Sequence, residues 1–232
     1  MVWGSYYPRR KAVDVERELA KLRKQKPHIA PVIVPGRKIS VTWWGVAWNQ
    51  NLESYADYAS RIGRGRTYVR AGRVLDLQIS PGQVNAVVAG NHNYEVEIRI
   101  KPLEQEKWRS IVETAGRQIA SLEELAEGKF PQALAELFTT PGSGLFPAPE
   151  QISFACSCPD WAVMCKHVAA TLYGVGNRLD DDPTLFFTLR DIDFELLLKK
   201  SVETKLLHML ENADKKSNRI LTKVNLEKLF NL

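Results

Sequence analysis

A chain of 232 residues, 44% hydrophobic and 25% charged, has the composition of a globular protein and is long enough to bury a sizeable core. No run of 18 apolar residues occurs, which argues against a transmembrane helix. The opening MVWGSYYPRRK has no apolar stretch ahead of a small-residue cleavage site, so the expected location is cytoplasmic, with no secretory leader. The net charge of +5 is uneven: residues 1–75 hold fifteen Lys/Arg against five Asp/Glu, residues 76–140 hold six against ten, and the tail from Lys199 onward is basic again. A basic N-terminal third suggests an anionic partner, with a solvated face as the plainer alternative.

Residues 1–38 read as a basic, partly ordered arm. YYPRRK is basic and aromatic, 13–26 predicts one charged amphipathic helix, and Pro27, Pro31 and Pro35 then force an extended path. Residues 39–140 read as an α+β domain. Thr42 is a candidate N-cap for a helix over 42–60, in which Trp44, Trp48, Leu52 and Tyr55 recur at helical spacing, and these aromatics are expected in the core. Four runs then alternate with period two: 66–70, 73–80, 83–89 and 93–100. Short Gly- or Pro-containing links join them, which predicts a four-stranded antiparallel meander. Helices are expected over 104–120 and 121–138.

A Pro/Gly-rich loop near 141–149 separates that domain from residues 150–178. A strand over 151–155 leads into the cysteines, and a helix over 166–177 follows them. Residues 179–232 read as helical, with a break near 213–218. Asp180, Asp181 and Asp182 read as a solvated helix start rather than a metal site.

The chemistry concentrates in FACSCPDWAVMCKHVAATLY. All three cysteines of the chain fall between 156 and 165. An odd number so tightly clustered does not suit a disulfide scaffold. Cys156, Cys158, Cys165 and His167 make a Cys3His set, a closed tetrahedral complement for structural Zn2+. Two residues apart within a helix, Cys165 and His167 would diverge by about 200°. The site therefore requires Cys165 just before the first turn and His167 within it. A Cys165–His167 nucleophile–base pair and an iron–sulfur cluster with one His ligand are the rivals; the first leaves Cys156 and Cys158 unexplained. Trp161 reads as a plug for the finger core, with an exposed contact as the alternative.

A second feature is basic. Arg61, Arg64, Arg66, Arg70 and Arg73 fall within thirteen residues containing no acid, with Tyr68 among them and Gly63 and Gly65 allowing close backbone approach. Arginine forks suit phosphate and Tyr68 suits base stacking, while a hairpin edge kept soluble by charge is the simpler account. Lys166, between two ligands, is a further candidate for contact with a phosphate or an acidic group. No Walker-type loop, Ser/His/Asp arrangement or outstanding carboxylate pair is evident, so no enzymatic activity is expected.

Cys156-x-Cys158 and Cys165-x-His167, with Pro159-Asp160-Trp161 between the pairs and Val168-Ala169-Ala170 after them, resemble a SWIM zinc finger. YYPRR, TWWGVAW, the Arg-Gly stretch and LFPAPEQISFACSCPDW extend the likeness to prokaryotic SWIM zinc-finger proteins. The resemblance implies a ββα finger, bound zinc, and binding to DNA or to proteins, with Swi/Snf-type helicases as associated partners. The expected molecule is thus an α+β accessory protein with a zinc finger and a helical C-terminal region. It would bind nucleic acid (DNA before RNA), dock a helicase, or both, with neither membrane nor small-molecule substrate as partner. A pure protein-interaction module is the alternative.

Overall fold

The computed structural model describes residues 14–54, 59–118, 134–140 and 144–213. The YYPRRK arm, most of the helix expected over 121–138 and the tail beyond 213 lie outside the described residues.

Charged helix α1 (Val15–Gln25) has Asp14 as its N-cap, Glu16 and Glu18 in its first turn and Arg23 and Lys24 in its last, the arrangement that complements a helix dipole. It buries Leu22 against Leu75 and Ala89. The proline-rich stretch that follows is extended and lies along the first strand: Val32 N donates to Val74 O at 3.0 Å and Leu77 N to Ala30 O at 2.9 Å. Helix α2 (Trp43–Glu53) starts at Thr42, whose hydroxyl accepts from Gly45 N at 3.1 Å. Of the residues expected on its core face, Trp44, Trp48 and Leu52 pack into the core, and Tyr55 lies outside the described residues. Trp48 is buried, donating to Leu172 O at 3.0 Å, while Trp43 and Trp44 pack against the same cluster.

Helix α3 (Ala59–Arg70) departs from the expected meander, because RTYVR ends a helix instead of forming a strand. Ile62, Gly65 and Val69 form its buried stripe at i, i+3, i+7 spacing. Strands β1 (Val74–Ser80), β2 (Gln83–Ala89) and β3 (Asn93–Ile100) form the meander that remains. Helices α4 (Gln105–Gln118) and α5 (Ala135–Thr139) follow. Strand β4 (Ile152–Cys156) then returns to pair antiparallel with β3, giving one four-stranded sheet of order β1-β2-β3-β4. Four antiparallel strands are present as expected, but the fourth comes from the approach to the cysteines, not from residues 66–70.

Helix α6 (Lys166–Asp181) is the centre of the core. Eleven of its sixteen residues are buried, and it packs on α2, α3 and the inner face of the sheet. Short α7 (Leu185–Leu189) adds Phe186 and Phe187, and α8 (Phe194–Ala213) packs along α4. Each buried Val, Leu, Ile or Phe of this cluster contributes about 1.5–3 kcal/mol relative to exposure. Two of the three acids at 180–182 end α6, and the third follows them. Asp180 accepts from Val41 N at 2.8 Å and Thr42 N at 3.1 Å, and also from the Thr42 hydroxyl, so it binds the start of α2. Asp182 accepts from Thr184 N at 2.9 Å. The opposite face of the sheet is polar, with Asp76, Gln78, Asn85, Glu95 and Glu97 around an open depression of about 550 Å³. No helix among the described residues is long and apolar enough to cross a membrane.

Candidate metal centre

The register of β4 against β3 sets the first ligand. Cys156 stands opposite Val96, as Phe154 does opposite Ile98. Paired residues share a face, and Val96 is buried, so Cys156 is on the core side of the sheet. The next residue is clamped in place. Ser157 N donates to Glu95 O at 3.0 Å, and its hydroxyl accepts from Glu95 N at 3.0 Å. Cys158 follows as the chain leaves the sheet.

The second pair arrives on α6. Cys165 is the N-cap, extended at φ −74° and ψ 169°, and His167 is the second helical residue. That change of backbone angle brings two side chains together that a continuous helix would hold about 200° apart. The sequence requirement is met.

The four candidate ligand atoms all lie within 4.8 Å of one another. His167 Nδ1 is 3.7 Å from Cys156 Sγ and 3.9 Å from Cys165 Sγ. A tetrahedral ion with bonds of about 2.3 Å to sulfur and about 2.0 Å to nitrogen holds such donors about 3.5 Å apart. The set therefore fits one metal ion. Cys165 and His167 are buried; Cys156 and Cys158 are half-buried.

Crowding makes the three thiols unlike. Cys165 is pulled well below the ordinary thiol range, first by the hydrogen bond from Cys156 and then by His167 and the Val168 N–H. Cys156, the donor in that bond, is pushed far up by it and by burial. Burial is also the main cause raising Cys158. Three thiolates around one imidazole require a positive ion among them, which is the demand a metal site makes.

Two aromatic rings hold the imidazole: Tyr94, which sequence reasoning missed, and Tyr68, which it assigned to base stacking instead. Tyr94 stacks on His167 at 4.3 Å between centroids and 25° between planes, and Tyr68 meets it edge-on at 5.5 Å. Nε2 of His167 is buried with no hydrogen-bond partner among the described residues. It faces Gly90, where a Cβ would come within 3.0 Å of it and 2.6 Å of Tyr94. Nδ1 is thus the nitrogen offered to the cysteines. A signal for Tyr94 was present in the alternation Tyr94, Val96, Ile98, Ile100, which places it on the inward row of β3.

The basic residues divide. Arg66 donates to Tyr173 Oη at 2.8 Å and pairs with Glu53 at 2.5 Å, so it is engaged within the fold. Arg61 donates to Asp160 at 3.0 Å, and its guanidinium lies 5.9 Å from the Trp161 ring centroid. Asp160 is held below its ordinary range chiefly by that hydrogen bond. Arg73 and Lys166 approach the ring of Tyr68, at 5.0 and 5.8 Å from its centroid. Arg64 and Arg70 are exposed. Trp161 does not plug a core: it is 78% exposed, and Val163 beside it is 70% exposed.

No protein-family model matches this chain, and no solved structure matches it. The chain is 34% identical over 163 residues to the uncharacterized protein Rv2102 of Mycobacterium tuberculosis (strain ATCC 25618 / H37Rv). That alignment takes in 69% of this chain and spans 58% of the relative's own length.

Proposed function

We propose that Cys156, Cys158, Cys165 and His167 hold one structural Zn2+ in a SWIM-type finger, and that the surface so fixed binds nucleic acid, DNA before RNA. The observation carrying this reading is the convergence of these four donors within 4.8 Å of one another. Three sulfurs and one nitrogen suit zinc over harder cations. Bound there, zinc supplies a rigid crosslink between β4 and α6.

The rival chemistries fare worse. Four protein ligands leave no coordination position for a substrate, and buried Cys165 is poorly placed as a nucleophile. An iron–sulfur cluster distributes its ligands over several irons, whereas donors this close suit a single ion. No catalytic role is assigned.

The nucleic-acid part rests on charge. Arg61, Arg73 and Lys166 lie near the finger, and Arg64 is exposed one helical turn beyond Arg61 on α3. Elemental analysis is expected to find one zinc per chain, lost in Cys158→Ser. A zinc-free, fully folded native protein would sink the metal reading. A mobility-shift series at rising salt is expected to show steeply falling affinity, and absence of binding at low salt would remove the nucleic-acid reading.

The outer half of α8 favours a second role beside the first. Leu206, Leu207, Met209 and Leu210 are exposed there, an apolar surface suited to a protein partner. A Swi/Snf-type helicase is the partner the SWIM resemblance suggests. Leu207→Glu with Leu210→Glu is expected to abolish its capture while leaving zinc content unchanged.

A further inference from the structure

The loop between the two ligand pairs has an unusual division of labour. Ala162 and Met164 point inward and are buried, whereas Trp161 and Val163 point outward. Cys158 and Cys165 bracket the loop. Asp160 fixes it from within, accepting from Ala162 N at 3.3 Å and from Arg61 at 3.0 Å. An indole is thus exposed on backbone that is already ordered.

Helical geometry shows what lies beside it. On α3, Arg61, Arg64 and Tyr68 follow i, i+3, i+7 spacing and so share one flank. Arg61 meets Trp161 at one end of that flank. Arg73 and Lys166 flank Tyr68 at the other. Arg66 falls on the opposite flank with Glu53 and Tyr173. One side of α3 therefore carries a line of cations that begins at an exposed, pre-positioned indole.

Resting on the nucleic-acid reading above, we infer that this surface selects single-stranded nucleic acid, with Trp161 as a stacking platform for an unpaired base, Arg61 holding the platform's loop through Asp160, and Arg64, Arg73 and Lys166 along the phosphate backbone. In a duplex both faces of each base are covered by its neighbours, so an indole finds no π-face to stack on. An unpaired base offers one, and the contact is indifferent to base identity. A platform already held in place also loses little freedom on binding.

The test uses the full-length, zinc-loaded protein and fluorescently labelled 20-mers: oligo-dT, oligo-rU, a DNA duplex, and an abasic DNA strand of the same charge. Anisotropy is expected to show tighter binding to the single strands than to the duplex. Trp161→Ala should weaken single-strand binding by about 5- to 150-fold, the usual range for loss of one stacked base. Duplex and abasic-strand binding should change less than about 2-fold. Trp161→Phe, which keeps a π-face, should retain most of the affinity. Comparison of dT with rU identifies the sugar. Arg64→Ala should weaken every ligand and lower the salt slope by about 1. Equal affinity for duplex and single strand, abasic binding as tight as dT, or unchanged single-strand binding in Trp161→Ala each overturns the inference while leaving phosphate binding intact. If Trp161→Ala instead loses only a protein partner, the indole is a protein contact and the inference falls. Failure of the zinc-loaded protein to bind any strand at low salt removes the nucleic-acid reading and this inference together.

Discussion

Helix α6 is anchored at both ends, by different chemistry at each. At its N-terminus, Cys165 and His167 face Cys156 and Cys158 in a cluster whose four donors could hold one metal ion. At its C-terminus, Asp180 receives the backbone of Val41 and Thr42, and Leu179 O receives the Trp44 indole N–H at 2.7 Å. The second end is complete with protein groups alone; the first has the donor set of a metal site. One helix therefore combines a self-sufficient anchor with a conditional one, and the conditional end positions the exposed loop.

The largest effect should come from removing the metal. Chelation, or Cys158→Ser, is expected to lower Tm by about 10 °C or more, equivalent to roughly 3–5 kcal/mol for a chain of this size. Amide exchange should rise across residues 156–168 while residues 172–181 stay protected. Uniform loss of protection would show that the two ends are not separable. Gly65→Ala acts between them. A Cβ there would lie 2.5 Å from Ala169 Cβ and 3.1 Å from the backbone of Ala169 and Ala170. Pushing α3 off α6 should cost about 1–3 kcal/mol in urea unfolding. Asp180→Ala attacks the metal-independent end and should cost about 1–2 kcal/mol by loss of capping bonds to α2, with zinc content unchanged.

The smallest effect is a pH dependence at Glu53. Burial by itself raises this carboxyl, but hydrogen bonds from Arg66 and Tyr173 outweigh it, and the net shift is downward. A depressed acid stabilises the fold above its unfolded value of about 4.3, and that contribution is lost as pH falls through the folded value. Glu53→Gln should therefore reduce stability at neutral pH and flatten its decline on acidification below about pH 4.3. Equal acid sensitivity in both proteins would show that the Arg66 flank contributes nothing.

Legibility in the sequence tracked how local the cause was. The four candidate ligands were readable because their spacing is short and their residue types are chemically restrictive. Thr42 as a cap and Trp48 as core followed from local pattern too. Residues 66–70 misled because Thr67 and Val69 alternate like a strand. The competing helical stripe, Ile62, Gly65 and Val69, has a glycine at its centre, and glycine does not register as apolar. Its reason is tertiary: α3 approaches Ala169 too closely for a side chain. The pairing of β4 with β3 and the stacking of Tyr94 on His167 join residues more than fifty positions apart, beyond the reach of periodicity. Trp161 was misplaced because a tryptophan is usually buried, and only the alternation of Ala162 and Met164 inward shows that it is not.

The distance between β3 and β4 has a consequence for assembly. Residues 101–151 separate the two strands, whereas two- or three-residue turns join β1 to β2 and β2 to β3. Closing so long a segment costs only about 2.5 kcal/mol more than closing a tight turn, yet non-local pairing forms late when local pairing is available. The hairpins are thus expected to precede the docking of β4. Cys156 and Cys158 reach Cys165 and His167 only once that strand is in place. On the proposed zinc reading, ion capture belongs to the closing stage of folding, and a refolding chain deprived of zinc should stall with its meander formed and its finger open.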